Sequence, residues 1–337
     1  MKMFTKLALI SSMAISANAM AMQSMDDAAL GATTGQDGIN IGIGISAVTI
    51  EKVLIHDNDG LLAAGAAGDM GFGGTSTAGA IVIKANGSGT TATNGIVITA
   101  NTAALLPSHN LADIVIDTDA GTGNTSTGTG TAFLNVAAKV SGLNIAIGEI
   151  GVSASNAVGT GPGIRRGNDA ANYNKILSGL TLTTGQMTAN VQLGAAPQGA
   201  MIKLDSTMTG GLTISNLGIY DSSTKGTAHY NAAGNIVTST LAGEIRLDSI
   251  KLANAGGPDL TVQADISVVG EAVLGDNTGY LQIKTMKTPT DAYVAGVHLG
   301  SATAGSIGDI EVQGMQVYNG GAPSAANAGA VIKISGH

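Results

Sequence analysis

The feature that most restricts the fold of this chain is a recurring pair of short apolar patterns separated by two residues. Within each pattern the apolar residues are two positions apart, the spacing of a β-strand with one buried face. The pattern or its first half begins at Val48, Ile81, Ile114, Ile145, Leu180, Leu212, Ile245, Leu281 and Ile310. Successive starts are separated by 29 residues (Leu281 to Ile310) to 36 residues (Ile245 to Leu281), which indicates a repeat near 33 residues.

Repeated units that cannot bury an apolar face alone are typical of stacked architectures. We therefore expect an all-β fold, a β-solenoid-like stack of short strands with a repeat near 33 residues. The two-residue step breaks the alternation, so it predicts a corner or a bulge. Because the units are unevenly spaced, an alternative stays open: one or two β-sandwich domains with regularly spaced strands.

A stack also predicts which side chains occupy equivalent positions. The second apolar residue of each pattern would point inward and contact its equivalents in the units above and below. These residues are Ile147, Ile214, Leu247 and Val312, with Ile83, Ile116, Leu182 and Ile283 in the intervening units. Alternation places the neighbouring Arg246 outward, towards solvent.

The composition indicates a folded, β-rich and glycine-rich chain and excludes several kinds of chemistry. Hydrophobic residues make up 44% of the 337 residues but aromatic residues only 3%, and there are 50 glycines. The absence of cysteine excludes disulfides, thiolate metal ligands and cysteine nucleophiles. The formal net charge of −8 repels phosphate backbones, so nucleic acid is not an expected partner.

The first residues have the three parts of a cleavable signal peptide, predicted over residues 1–21. Lys2 and Lys6 precede an apolar run over residues 7–17, followed by two small-x-small cleavage sites that end at Ala19 and Ala21. The run is too short to span a bilayer, and no later segment predicts a transmembrane helix. We therefore expect an exported protein, on the outer surface or extracellular, with the periplasm as the alternative.

The mature chain divides by composition into four segments. Residues 22–38 would form an N-terminal cap or docking segment, and residues 39–157 a β-rich repeat region. Residues 158–174, rich in Gly and Asn and containing Pro162, predict a loop before a second β-rich region over residues 175–337. A Gly/Ala-rich stretch over residues 60–79 also has little strand signal.

No local motif predicts catalysis or cofactor binding. The chain lacks the glycine-rich phosphate loops, the zinc-protease helix motif and the nucleophile elbow. The scattered histidines are His56, His109, His229, His298 and His337; the carboxylates that recur beside the strands are Glu149, Glu244, Asp248 and Glu311. We interpret these as solvated positions, and predict no catalytic, cofactor-binding or metal-binding residue and no enzyme.

One short segment resembles part of a calcium loop. Asp57-Asn58-Asp59-Gly60 offers oxygen ligands at alternate positions and a glycine at the bend, but the positions of the first and twelfth ligands fall on Ile55 and Ala66. Asp117-Thr118-Asp119 fails in the same way. A turn stabilised by the Asp57 side chain is the preferred interpretation, with calcium as the alternative.

The segment after the signal peptide resembles a known group of exported proteins. It reads Met25-Asp26-Asp27, then Leu30, then Thr34-Gly35-Gln36-Asp37-Gly38, followed by the alternating Ile39-Asn40-Ile41-Gly42-Ile43. This is similar to exported gamma-proteobacterial proteins of the Fil type, which are described as pilus-system proteins. The resemblance covers residues 1–60 and implies no catalytic residues.

Together these features predict a structural or adhesive cell-surface protein, a component or accessory of a pilus-like assembly. Its expected partners are proteins of an export or surface-assembly system. Two other classes stay open: an exported polysaccharide-active enzyme on a β-helix, and a periplasmic ligand-binding module. The enzyme would need carboxylates that converge in one cleft, and the binding module one sizeable apolar pocket.

Overall fold

Alternating apolar sequence becomes strand throughout the computed structural model. It describes residues 38–62, 73–122, 130–231, 233–270, 279–320 and 322–335. In these ranges the regular structure is 22 β-strands and a few single 3-10 turns, with no α-helix, which confirms the all-β class. The predicted signal peptide, residues 22–37 and much of the Gly/Ala-rich stretch lie outside the described residues.

The strands are short in the first half of the chain and longer in the second. In order they are β1 Ile39–Ile43, β2 Ala47–Ile50, β3 Lys52–Asp57, β4 Gly79–Lys84, β5 Ile96–Ala100, β6 Ala112–Asp119, β7 Phe133–Val140, β8 Leu143–Ile147, β9 Glu149–Ser155, β10 Asn168–Leu177 and β11 Leu180–Thr183. They continue as β12 Met187–Gly194, β13 Ile202–Met208, β14 Leu212–Asp221, β15 Ala228–Tyr230, β16 Ile236–Thr238, β17 Gly243–Asn254, β18 Leu260–Val269, β19 Tyr280–Thr285, β20 Thr290–Gly300, β21 Ile310–Met315 and β22 Ala330–Ile334.

These strands form two large sheets and one hairpin. The first sheet has the order β1-β6-β7-β12-β13-β18-β19-β22. The second has the order β2-β5-β8-β11-β14-β10-β9-β4-β3, extended from β14 through β17 and β20 to β21. Strand β14 therefore has β17 on one side and, on the other, β11 beside its first half and β10 beside its second half.

The chain crosses the two sheets in eight successive passes, each made of neighbouring strands. The passes are β1–β3, β4–β6, β7–β9, β10–β12, β13–β14, β17–β18, β19–β20 and β21–β22, while the hairpin β15–β16 lies between the fifth and the sixth. Every pairing within the large sheets joins one pass to the next in sequence. Where a register is resolved, the pairing is antiparallel.

This antiparallel arrangement makes the predicted register wrong. Ile214 opposes Ile250, whereas Leu247 opposes Leu217, so Ile214 and Leu247 lie on neighbouring strands but do not occupy equivalent positions. The chain reverses direction between passes, which places the first apolar pair of one pass beside the second pair of the next. The strand pairing does not confirm a solenoid with a 33-residue repeat either, because Ile81 and Ile114, two successive starts of the pattern, lie in β4 and β6 of the same pass.

The sequence predicts a corner or a bulge at the two-residue step. In the second sheet a line of backbone irregularities crosses the strands at this step, and we call it the crease. On β14 and β20, the two strands that flank β17, Asn216 and Gly296 both have positive φ, at 62° and 64°. Asp248 lies between them on β17, and the paired registers resume on either side of these three residues.

The loop predicted over residues 158–174 is shorter in the structure, because β10 already begins at Asn168.

Candidate interaction surfaces

Three rows of directly opposed aliphatic side chains cross the two large sheets, and we call them the aliphatic rows. The first row is Val48, Ile98, Ile145, Leu182, Ile214, Ile250, Val294 and Ile310. The second row is Val53, Ile83, Ile150, Leu177, Ile219, Ile245 and Leu299. The third row is Ile116, Val136, Val191, Ile202, Ile266, Ile283 and Ile332.

The aliphatic rows are only partly buried. In the second row Ile219, Ile245 and Leu299 are 42%, 46% and 51% exposed. The most deeply buried large side chain among the described residues is Val82, which alternates with Ile81 and Ile83 and therefore lies on the opposite face. The described part of the chain thus leaves extended aliphatic surface accessible, and contiguous surface of this kind marks interaction sites.

The face opposite the second row carries a series of charged and aromatic side chains, which we call the polar ladder. Its members are Lys84, Glu149, Tyr173, Lys175, Tyr220 and Glu244. Glu149 pairs with both lysines, since its Oε1 lies 3.4 Å from Lys84 Nζ and its Oε2 3.1 Å from Lys175 Nζ. The ladder therefore joins β4, β9 and β10 by ion pairs.

Aromatic rings extend the polar ladder between strands. The ammonium of Lys84 lies 3.7 Å from the centre of the Tyr173 ring, and that of Lys175 lies 4.1 Å from the centre of the Tyr220 ring. The Tyr173 ring packs against Gly151, where a β-carbon would lie 2.4 Å from Cζ of the ring. A glycine at 151 is thus what allows the ring to reach Lys84.

The environment of the polar ladder shifts the pKa values of its members. Burial by itself would raise the pKa of Glu149, but the hydrogen bond and charge of Lys175, with the charge of Lys84, lower that pKa below its usual value. Burial opposes the charge on Lys175, yet its hydrogen bond to Glu149 raises the pKa of Lys175. Burial, followed by the charge of Glu149, raises the pKa of Tyr173. Glu149 and Lys175 therefore stabilise each other as ions.

The carboxylates considered in the sequence have separate partners. Asp248 lies 3.6 Å from Arg246 Nε and 3.2 Å from His298 Nε2, while Glu311 accepts a hydrogen bond from the Gln313 amide. Glu244 is buried against Gly218. No two of the four exchange a described hydrogen bond with each other.

Arg246 is less exposed than the sequence predicts. Its side chain is 24% exposed, and Nη2 donates a 2.9 Å hydrogen bond to Asn216 Oδ1. It lines a cavity of about 440 Å³ together with Asn86, Ser88 and Thr181. The lining of this cavity is largely polar, unlike the apolar pocket expected of a binding module for small hydrophobic ligands.

The described histidines have individual hydrogen-bond partners. His56 Nδ1 lies 2.6 Å from Ser155 Oγ, and His298 Nδ1 lies 2.6 Å from the Ala304 carbonyl oxygen. His229 Nδ1 lies 3.4 Å from the Thr227 carbonyl oxygen, and His109 has a positive φ of 58°. His337 lies outside the described residues. In the described ranges no three His, Asp or Glu side chains are close enough together to hold a metal ion.

The two aspartate segments form turns closed by their own side chains. Asp57 Oδ1 accepts hydrogen bonds from the backbone N–H groups of Asp59 and Gly60, at 3.4 and 3.3 Å. Asp119 Oδ1 accepts one from the Gly121 N–H at 2.5 Å. Both are arrangements in which an aspartate oxygen completes a turn.

Within the described ranges no helix is long and apolar enough to cross a membrane.

Comparisons with known proteins identify one family and no characterised relative. No curated protein and no solved structure matches the chain. Residues 1–141 of the 337 match a family of unknown function (DUF6160), so this chain is similar to that family over its N-terminal part.

Proposed function

We propose that this protein is an exported structural or adhesive component of the cell surface, working with a pilus-like assembly. The observation that carries the proposal is the set of aliphatic rows, the first of which runs across eight strands from Val48 to Ile310. A surface this long and this regular suits lateral contact with other protein surfaces more than it suits turnover of a small substrate.

The finer architecture that goes with this function is a stack of passes, related to the solenoid that the sequence predicts. Each pass pairs only with the passes next to it in sequence, as the units of a solenoid do. The polar ladder supports this role because its charges neutralise one another across strands. Lys84, Glu149 and Lys175 stiffen the sheet and leave no free carboxylate among them.

The predicted signal peptide supports export, and the resemblance of residues 1–60 to Fil-type proteins supports a pilus-system partner. Residues 22–38 are the proposed docking segment for that partner.

Immunogold labelling of intact cells tests the proposal, with fractionation of the envelope in parallel. We expect gold particles on the outer surface of wild-type cells, and a loss of surface label when the neighbouring genes are deleted. A matched strain that lacks residues 2–17 serves as the control for export. Protein found only in the cytoplasmic fraction of wild-type cells would refute the proposal.

A further inference from the structure

Both ends of the stack of passes carry open strand edges. Within the described ranges β21 pairs only with β20 and β22 only with β19, while at the other end β2 and β3 pair only with β5 and β4. All six residues of β21 are exposed, among them Ile310 at 52%. An exposed edge of this kind offers unpaired N–H and C=O groups to another strand.

The edge strands at the C-terminal end contain no proline, which would prevent such pairing. Neither β21, with the sequence Ile-Glu-Val-Gln-Gly-Met, nor β22, with the sequence Ala-Val-Ile-Lys-Ile, contains a proline. Each keeps aliphatic residues at alternate positions, as the paired strands do. Each strand carries one charged residue, Glu311 or Lys333, and the register of β21 with β20 shifts near Gly314, but the aliphatic pattern of the sheet continues into both strands.

We infer that copies of this chain associate end to end, with the last pass of one copy paired to the first pass of the next. The inference rests on the proposed structural function and names its partner, a second copy of the same chain. The contact is heterologous, so it generates a filament and not a closed dimer.

The direction of the passes favours this partner. The first pass runs from the first sheet to the second, through β1, β2 and β3, and the last runs back from β21 to β22. Because the number of passes is even, the first pass of a second copy placed beside the last pass is antiparallel to it. The junction then repeats the pairing direction seen between passes inside the chain.

The register of the first aliphatic row supports the same contact. Ile310 ends this row and Val48 begins it, so placing Val48 of the next copy opposite Ile310 extends the row without a break. Antiparallel pairing then puts Ala47 opposite Glu311. In this register Ala47 and Val48 of β2 lie opposite β21, and Thr49 lies opposite Asp309, the residue just before β21.

A second copy explains both ends at once. A different protein that offered strands could pair with the backbone groups of one edge, either β21 and β22 or β2 and β3. The two edges of this chain complement each other in direction and in the position of their aliphatic residues. Each edge is therefore expected to pair with the opposite edge of another copy.

Engineered cysteines test the contact cleanly because the chain has no cysteine of its own. Opposed residues of antiparallel strands have Cα atoms about 4.5–5.5 Å apart, within the range of a disulfide. The exported full-length form is purified as two separate variants, Val48→Cys and Ile310→Cys. The two are mixed under mild oxidation, and disulfide dimers are counted by non-reducing electrophoresis.

We expect a dimer band in the mixture at least tenfold stronger than in either variant alone, and a ladder of multimers from the double variant. The matched control mixes Val48→Cys with Ile236→Cys, since Ile236 is 66% exposed on the hairpin β15–β16, away from both edges. Equal cross-linking in the control mixture, or no dimer in the test mixture, would overturn the inference. Dimers formed as readily by one variant alone would also overturn it, because they indicate pairing of like ends.

A second measurement does not depend on disulfide chemistry. In sedimentation velocity, Ile310→Lys should remove species larger than the monomer, whereas Ile236→Lys should leave them in place; equal behaviour of the two variants would contradict end-to-end pairing. Failure of these experiments is distinct from failure of the proposed function, since immunogold labelling reports location and cross-linking reports assembly of the purified chain.

Discussion

Gly296 and Asp248 lie side by side on β20 and β17, and the Asp248 carboxylate occupies the space where a β-carbon at position 296 would stand. Gly296 also has a φ of 64°, in the left-handed region that only glycine adopts without cost. The same Gly296 donates its N–H to Asp309 Oδ1 at 2.9 Å. The crease of the second sheet therefore depends on the absence of a side chain at this position.

We predict that Gly296→Ala lowers the free energy of unfolding by about 2–4 kcal/mol, from backbone strain and overlap with Asp248 together. The matched control is Gly300→Ala on the same strand, where φ is 97° but no atom lies near the added carbon. That variant carries strain alone and should cost about 1–2 kcal/mol. Urea denaturation of both variants measures the difference, and a smaller loss at 296 than at 300 would contradict this account of the crease.

The sequence predicts the strands and the crease well because both are local. The apolar pairs at Val48 and Val53 begin in β2 and β3, and those at Ile145 and Ile150 lie in β8 and β9. The alternation of apolar and polar residues predicts which face of the sheet a side chain lies on, but it does not predict the direction of the neighbouring strand. The short connection over residues 195–201, which contains Pro197 and Gly199 and is typical of a hairpin, was the signal that successive passes reverse.

The polar ladder is not predicted from the sequence, because the members of the ladder come from distant parts of the chain. Lys84, Tyr173 and Lys175 approach one another only when β4, β9 and β10 pair. A bulge between Lys175 and Leu177 also changes which face Lys175 occupies, and this is not visible in an alternating pattern. The hydrogen bond of Arg246 to Asn216 could not be predicted for a similar reason, since Asn216 lies on another strand.

We expect Glu149→Gln to destabilise the protein by about 1–3 kcal/mol, because it leaves two lysines of the polar ladder without their shared counter-ion. Glu51→Gln provides the control, since the ion pair of Glu51 with Arg165 is exposed on both sides. Exposed pairs of this kind contribute about 0–1 kcal/mol. Thermal and urea unfolding at pH 7 compare the two variants, and equal losses would show that the ladder is no stronger than a surface pair.

Acid should weaken the polar ladder and so lower the free energy of unfolding. The pKa of Glu149 is lowered in the folded state, so its contribution to stability is fully present above the unfolded pKa of about 4.3. That contribution is lost as the pH falls below this value and passes through the folded pKa. The slope of unfolding free energy between about pH 5 and pH 3 should therefore be shallower in Glu149→Gln than in the wild type. Parallel slopes would mean that Glu149 titrates normally.

Calcium should not contribute to folding. Asp57 Oδ1 already accepts hydrogen bonds from the Asp59 and Gly60 N–H groups, which closes the turn without a metal ion. We expect the same melting temperature, within about 1 °C, in excess EDTA and in millimolar calcium, because a ligand that binds only the folded state would raise it. Asp57→Asn, which keeps the turn acceptor and removes the charge, should give the same curve. A large drop in chelator would identify a calcium site in this chain.

The first and second aliphatic rows both cross β17, and their residues on this strand differ in burial. This difference predicts which of the two positions tolerates a charge. On β17, Ile250 is half-buried between Ile214 and Val294, whereas Ile245 is 46% exposed. An unpaired carboxylate in apolar surroundings is costly, so Ile250→Asp should lower the free energy of unfolding by about 2–4 kcal/mol. Ile245→Asp keeps its carboxylate in water and should cost about 1 kcal/mol or less. Urea denaturation of dilute, monomeric protein decides between them, because association would bury Ile245 as well. If Ile245→Asp proves as damaging as Ile250→Asp under those conditions, the second row is covered within the chain itself and is not available to a partner.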